Sequence, residues 1–313
     1  MVHDLAILGG GPAGAAAAVY AARKQLKTVL VTDEFGGQST VSPDIQNWIG
    51  TISISGADLA KNLRAHVEAY GKNIVEMAER ERVAQVTHRE NVFTITTESG
   101  KTFEARAILV ATGAHRRRLD IPGADTFEHK GVTYCASCDG PLFAGQDVAV
   151  IGGGNAGFET ASQLLAYAKS VTLLHRSPEY KADPVTVEKV LAHQNMTGIT
   201  NAQTLRVEGD KFVSGLIYKD ISGEEKKLPV TGVFVEIGLI PTTGFVKNLV
   251  KLDEIGRIEI DPWTGASSLE GIWAAGDCSN IRYHQNNIAA GDAVKALEDI
   301  YQWVKIRGVK VKT

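Results

Sequence analysis

The segment YCASCDG, residues 134–140, sets two cysteines two residues apart and follows the second at once with an aspartate. A CxxC can lend two ligands to a metal, crosslink the chain, or cycle between dithiol and disulfide. A closed zinc site takes four ligands. His129 and Cys278 are candidates to complete one beside Cys135 and Cys138, but no second CxxC or HxxxH accompanies them. No metal is therefore expected. Cys278 is the third and last cysteine, and a secreted disulfide scaffold would carry many more. In a reducing compartment a lone CxxC points to thiol–disulfide exchange.

Such exchange needs an electron source, and one nucleotide-binding pattern occurs twice. In DLAILGGGPAGAAAAVYAARK, residues 4–24, an apolar strand from Leu5 to Leu8 leads into Gly9, Gly11 and Gly14, and an alanine-rich helix follows. The first glycine permits a tight turn and the second lets a pyrophosphate approach the backbone. The third lets the helix pack close to its strand, and the helix N-terminus stabilises the anion. The next strand, TVLVT (28–32), ends at Asp33 and Glu34, and an acid there can bond a ribose hydroxyl. The second copy is DVAVIGGGNAGFETASQLL, residues 147–165, with Gly152, Gly154 and Gly157. Its following strand, SVTLLH (170–175), runs into His175, Arg176 and Ser177, with Lys181 beyond. An arginine there can hold a 2′-phosphate that an acid would repel. Two such sites imply two dinucleotides and electron transfer between them. The first suits FAD; the second suits NADPH better than NADH, with NADH as the alternative.

The elements that position these motifs read as an insert. At 313 residues the chain is long enough for two domains. The strand ILVAT passes through Gly113 into a basic, proline-containing stretch, which places one crossing near 114–118; the strand GVFVEIG and a Pro/Gly turn place the return near 242–245. The expected domains are 1–115 with 244–313 for FAD, and 116–243 for NAD(P), the latter carrying the CxxC. Residues 82–104 alternate apolar and polar around Gly100 and predict a small antiparallel flap. The expected fold is α/β: two Rossmann-like three-layer (ββα) dinucleotide-binding domains, the second inserted into the first. A net charge of −3 gives no reason to expect nucleic acid or an anionic membrane as partner. The N-terminus lacks the basic region of a signal peptide and its apolar run is broken by glycines and Pro12, so a cytoplasmic protein is expected.

GGGPAG, FGGQST, NWIG, VATGA, YCASCDG, GGGNAG, HRS and AAGDCSN occur in the order found in low-molecular-weight thioredoxin reductases, and the resemblance covers essentially the whole chain. The segment from YCASCDGPLF through the second fingerprint also resembles the reductase half of the alkyl hydroperoxide reductase flavoprotein subunit. Because the chain starts at its FAD fingerprint, a stand-alone reductase is expected. The resemblance implies a redox disulfide in which Cys138 faces the flavin, Cys135 attacks the protein substrate, and Asp139 serves as acid and base. A helix start beside the pair favours a thiolate, the nucleophile of the exchange. Capping the following turn is the plainer role for Asp139.

The resemblance further implies FAD contacts at Gly11, Pro12, Ala13, Glu34, Gln38, Asn47, Ala111, Thr112, Gly276 and Asp277. It adds His284, Gln285 and Asn286 in YHQNNIAAG, near the flavin pyrimidine; His284 stands where the family has arginine. Asn155, His175, Arg176 and Lys181 would serve the nicotinamide nucleotide, although Ser177 and Lys181 replace two of the family's arginines. A lysine is a point charge without the planar fork of arginine, so 2′-phosphate recognition is weakened. Arg116, Arg117, Arg118 and Lys130 make the approach to the cysteines basic, either to steer an acidic thioredoxin or glutaredoxin-like partner or merely as a solvated linker. Both partners of the flavin lie in the insert, which predicts that it rotates about the two crossings to present them alternately. A homodimer is implied. Two other readings compete: an NADH-fed reductase serving a peroxiredoxin through a small thioredoxin-like carrier, and a flavin-binding redox sensor. Cys278 is expected to be a small buried residue.

Overall fold

The computed structural model describes residues 1–42 and 44–310. The chain opens with β1 (Val2–Gly10), α1 (Pro12–Arg23), β2 (Thr28–Phe35), α2 (Gly56–Gly71) and β3 (Val75–Glu79). There follow β4 (Val83–Arg89), β5 (Val92–Thr97), β6 (Thr102–Val110) and the short β7 (Ala114–Arg116). The second unit contains β8 (Val132–Thr133), α3 (Ala136–Asp139), β9 (Asp147–Ile151), α4 (Asn155–Leu164), β10 (Ser170–Leu174), α5 (Pro184–Leu191) and β11 (Met196–Ile199). It continues with β12 (Gln203–Gly209), β13 (Val213–Lys219), β14 (Glu225–Leu228) and β15 (Gly232–Val235). β16 (Leu239–Pro241) returns the chain, which ends with β17 (Ile272–Ala274) and α6 (Asn286–Lys310). By compactness one unit is Met1–His115 with the chain from Ile240 onward, and the other is Arg116–Leu239. The return falls inside β16, a few residues ahead of 244, and β16 pairs with β7.

In the first unit the sheet runs β3-β2-β1-β6-β5-β4, with β17 also on β6. One edge of β6 serves two partners in turn. Thr102–Ala105 pair antiparallel with β5, and Ile108–Val110 pair parallel with β17. The result is a five-stranded parallel sheet with the antiparallel flap that the alternation over 82–104 predicted. Leu5, Ala6, Ile7 and Leu8 have no exposed surface, as a parallel strand covered on both faces requires. Leu5 and Ile7 pack towards α1 and α6, and Ala6 and Leu8 towards the flap and Val246, Val250 and Ile258. In α1 the alanines 13, 15, 17, 18, 21 and 22 are buried. Their small side chains let the helix lie close to the sheet and to α6, which buries the stripe Ala293, Ala296, Leu297, Ile300 and Val304.

The second unit repeats the plan. Its parallel sheet runs β11-β10-β9-β15-β8, and β12, β13 and β14 form an antiparallel meander. Val148 and Val150 face the core with α4 residues Phe158, Ala161 and Leu164; Ala149 and Ile151 face Val207, Val213 and Leu216 of the meander. The fifth strand differs in origin. In the first unit β17 arrives late in the chain; in the second β8 precedes the glycine-bearing strand and leads directly into the CxxC.

The glycines explain how helix and strand come so close. A Cβ on Gly14 would collide with the carbonyl oxygen of Gly9, and one on Gly157 with that of Gly152. Gly9 and Gly152 have φ of 111° and 130°, a region that L side chains avoid. A Cβ on Gly11 or Gly154 would meet nothing within 4 Å, and their φ values are ordinary, −69° and −94°. Gly14→Ala and Gly157→Ala should therefore each cost about 1–3 kcal/mol or more through overpacking. Gly11→Ala and Gly154→Ala should stay within about 0.5 kcal/mol. Urea unfolding of nucleotide-free protein checks the contrast; equal losses at all four positions would contradict it.

Candidate redox and nucleotide sites

Cys135 and Cys138 are joined in a disulfide at the carboxyl end of β8. Cys135 is the N-cap of α3, and its Sγ accepts from the Cys138 N–H at 3.2 Å. That donor would also stabilise a Cys135 thiolate once the bond is reduced. The Thr133 hydroxyl donates to Asp139 Oδ2 and accepts from the Cys135 N–H at 3.3 Å. Asp139 makes no side-chain cap to the following 3₁₀ turn. Its carboxylate is tied instead, through Thr133, to the backbone of Cys135. Cys278 has no exposed surface, and burial pushes its thiol up to about 11. The small buried role expected for it is the one the structure gives.

In the same unit Gly154 caps α4 beneath open space. The Gly153 N–H donates to His175 Nδ1 at 3.2 Å, and the Lys181 N–H donates to the Gly153 carbonyl at 2.7 Å. Burial lowers the pKa of His175, with the positive Lys181 and Arg176 acting in the same sense. The ring is therefore a neutral floor under the glycine turn. Arg176 and Lys181 are exposed and, among the described residues, neither has an ion-pair partner. Arg176 and Ser177 line a shallow pocket with Gln203 and Thr204. Asn155 Oδ1 accepts from the Asp183 N–H at 2.8 Å, which fixes the start of α5 beside α4. Of the four basic residues expected to flank the approach to the cysteines, two are engaged locally. Arg116 pairs with Glu236 at 3.4 Å, and Arg118 with Glu128 at 3.3 Å and Asp125 at 3.7 Å.

In the first unit the open strip over Gly11 ends at the N-terminus of α1, with Pro12 and Ala13 in its first turn. A Cβ on Gly9 would meet the carbonyl of Ala111 and the Cα of Thr112, so these residues line the turn. The Thr112 hydroxyl donates to the Thr242 carbonyl at 2.6 Å. β2 continues through both acids at its tip. Asp33 is held by Arg82 at 2.6 and 2.8 Å, whereas Glu34 is exposed and has no ion-pair partner among the described residues. Of the two acids, Glu34 is therefore the candidate for a ribose. Gln38 is exposed in the next turn. Gly276 sits between two helix starts, because a Cβ there would lie 3.6 Å from Ala13 and 3.3 Å from Ala289. Asn47 donates to Gln285 at 3.1 Å, and Ser39 donates to Asn286 at 3.1 Å. Asp277 Oδ1 lies 3.1 Å from His284 Nδ1. The expected residues therefore converge on the N-termini of α1 and α6. The helix N-termini, the open space over Gly11 and an exposed acid with no ion-pair partner among the described residues fit FAD.

Glu236, which follows β15 and whose carbonyl lies against Gly152, escapes motif reading. Its signal was present: VFVEIG (233–238) repeats ILVATG (108–113), with Glu236 at the place of Ala111. Among the described residues no helix is long and apolar enough to cross a membrane, and no group of three His, Cys, Asp or Glu could hold a metal.

Residues 3–293 match the family described as pyridine nucleotide-disulphide oxidoreductase. The chain is 43% identical, over 94% of its length, to the F component of the Escherichia coli alkyl hydroperoxide reductase. It is 40% identical, again over 94%, to a Bacillus subtilis protein named NADH dehydrogenase. It spans only 57% of the length of each of these curated relatives. Among solved structures, thioredoxin reductase from Streptococcus pyogenes is similar with a TM-score of 0.87 at 32% identity, over 97% of this chain and 98% of that one. Thioredoxin reductase from Giardia duodenalis gives 0.89 at 31%, over 97% and 99%. With its two nucleotide cradles and its bonded CxxC, the chain belongs to the pyridine nucleotide-disulphide oxidoreductase family.

Proposed function

We propose that the chain is a flavin-dependent disulfide reductase that takes electrons from NADPH and delivers them through Cys135–Cys138 to a disulfide of thioredoxin or a glutaredoxin-like protein. The observation that carries this reading is the disulfide at the end of β8, in the unit that also holds the second glycine cradle. The likeness to the Streptococcus and Giardia thioredoxin reductases supports it. FAD, when bound, supplies a two-electron relay between a hydride donor and a sulfur–sulfur bond.

The residues do the rest. Two electrons and two protons convert Cys135–Cys138 to a dithiol, Asp139 moving protons at the sulfurs. The Cys135 thiolate, steadied by the Cys138 N–H, attacks the partner's disulfide. A mixed disulfide forms and one partner thiol leaves. Cys138 then attacks the Cys135 sulfur, restoring the internal disulfide and freeing the second partner thiol. Arg176 and Lys181, exposed and without an ion-pair partner among the described residues, supply positive charge for a 2′-phosphate.

A second reading, with NADH as donor and a peroxiredoxin served through a thioredoxin-like carrier, is favoured by Ser177 and Lys181 where the thioredoxin reductases carry arginine. The names of the curated relatives point the same way.

In a coupled assay the protein should oxidise NADPH only when an oxidised thioredoxin is supplied, and Cys138→Ser should abolish that turnover. Asp139→Asn should slow disulfide reduction by about 10²–10⁴-fold while leaving flavin bleaching by nucleotide unchanged. A protein that binds flavin but oxidises no nucleotide under these conditions would be a sensor instead. The ratio of kcat/KM for NADPH to that for NADH should exceed one and fall about tenfold in Arg176→Ala; a tenfold preference for NADH in the unaltered protein would select the second reading. Rotation of the inserted unit is part of this mechanism, so a covalent crosslink between the units should stop turnover, and unimpaired turnover would remove that part.

A further inference from the structure

The two units can be matched by contact as well as by sequence. Ala111 follows the last residue of β6, donates its N–H to the Leu8 carbonyl at 2.8 Å and sets its own carbonyl against Gly9. Glu236 follows the last residue of β15, donates its N–H to the Ile151 carbonyl at 2.8 Å and sets its carbonyl against Gly152. Leu8 and Ile151 each precede the first glycine of their turn. Glu236 is thus the counterpart of Ala111, and a methyl group satisfies the packing there.

An acid at this place is unexplained by folding alone. Its side chain is only 14% exposed, and burial pushes its pKa above the ordinary carboxylate range, against the pull of Arg116 and Thr160 and with a like charge from Glu159. Both polar contacts fall on one oxygen. Oε1 accepts from Thr160 Oγ1 at 2.9 Å and from Arg116 Nη1 at 3.4 Å. Oε2 has no partner among the described residues. A carboxylate with one oxygen fixed and the other open is an acceptor awaiting a donor.

The sheet says where that donor comes from. In the order β10-β9-β15, the chain leaves β9 for α4 and β10 on one side, and β15 lies on the other. Dinucleotides bind at the carboxyl ends of the strands at such a switch point. On the proposed function the adenosine end would lie beside Arg176, just past the tip of β10, and the pyrophosphate over the Gly154 cradle. The nicotinamide end then falls beside β15.

We propose that Glu236 recognises the nicotinamide–ribose half of the nucleotide, its Oε2 accepting from the carboxamide or a ribose hydroxyl, while Thr160 and Arg116 position the carboxylate. This rests on the reading that the second unit binds a nicotinamide dinucleotide. Arg116 belongs to β7, so the same contact ties the occupied crevice to the first crossing strand.

Titration calorimetry on the flavin-loaded enzyme tests this with two ligands. NADP⁺ carries the nicotinamide half, and adenosine 2′,5′-bisphosphate lacks it. Should NADH prove the donor, NAD⁺ and ADP replace them. Glu236→Ala should weaken the dinucleotide about tenfold or more and leave the fragment within about twofold. Glu236→Gln, which keeps the volume, should lie between. Equal losses for both ligands would mark a structural role and overturn the proposal, as would an unchanged dinucleotide affinity. An unaltered protein that bound neither dinucleotide would sink the underlying reading with it.

Discussion

The structure depends on one steric constraint, met twice: a helix must begin close enough to its strand that no Cβ fits between them. Gly14 over Gly9 and Gly157 over Gly152 satisfy it. That approach aims the first free N–H groups of α1 and α4 at a common edge of each sheet, where an anion gains from both amides and dipole. The middle glycine of each pattern takes no part in the packing and leaves the space above it open. Folding and binding therefore use different glycines of the same motif.

Around that shared constraint the units differ where their chemistry differs. The fifth parallel strand ends in Gly276–Asp277 in the first unit and in the cysteine pair in the second. The residue beside the first glycine is Ala111 in one and Glu236 in the other. The strand after the helix leads to an exposed acid in one, Glu34, and to an exposed cation in the other, Arg176. One scaffold is thus furnished with opposite charge at corresponding places.

Much of this was legible in the sequence because glycine spacing and apolar runs are local signals. The two cradles, the flap and the burial of Cys278 all follow from short windows. What escaped depends on partners distant in the chain. Nothing near Asp33 says that Arg82 occupies it, 49 positions away, and leaves Glu34 as the candidate for a ribose. The basic run at 116–118 reads as one patch until Glu236 and Glu128 engage two of its members. β8, at two residues, is too short to show any periodicity, so the place of the cysteines at a sheet's end was not readable. Glu236 lies outside the glycine spacing that marks the repeat, on a strand that only the fold brings against Gly152.

His175 beneath Gly153 carries a further consequence. Its depressed pKa means that the native fold declines a proton which the unwound polypeptide accepts. As acidity rises through the ordinary imidazole range, around 6.5, the unwound form gains ground and the margin of folding shrinks. Above that range the contribution is constant. Mild acid should therefore narrow the stability of the fold through this one buried ring.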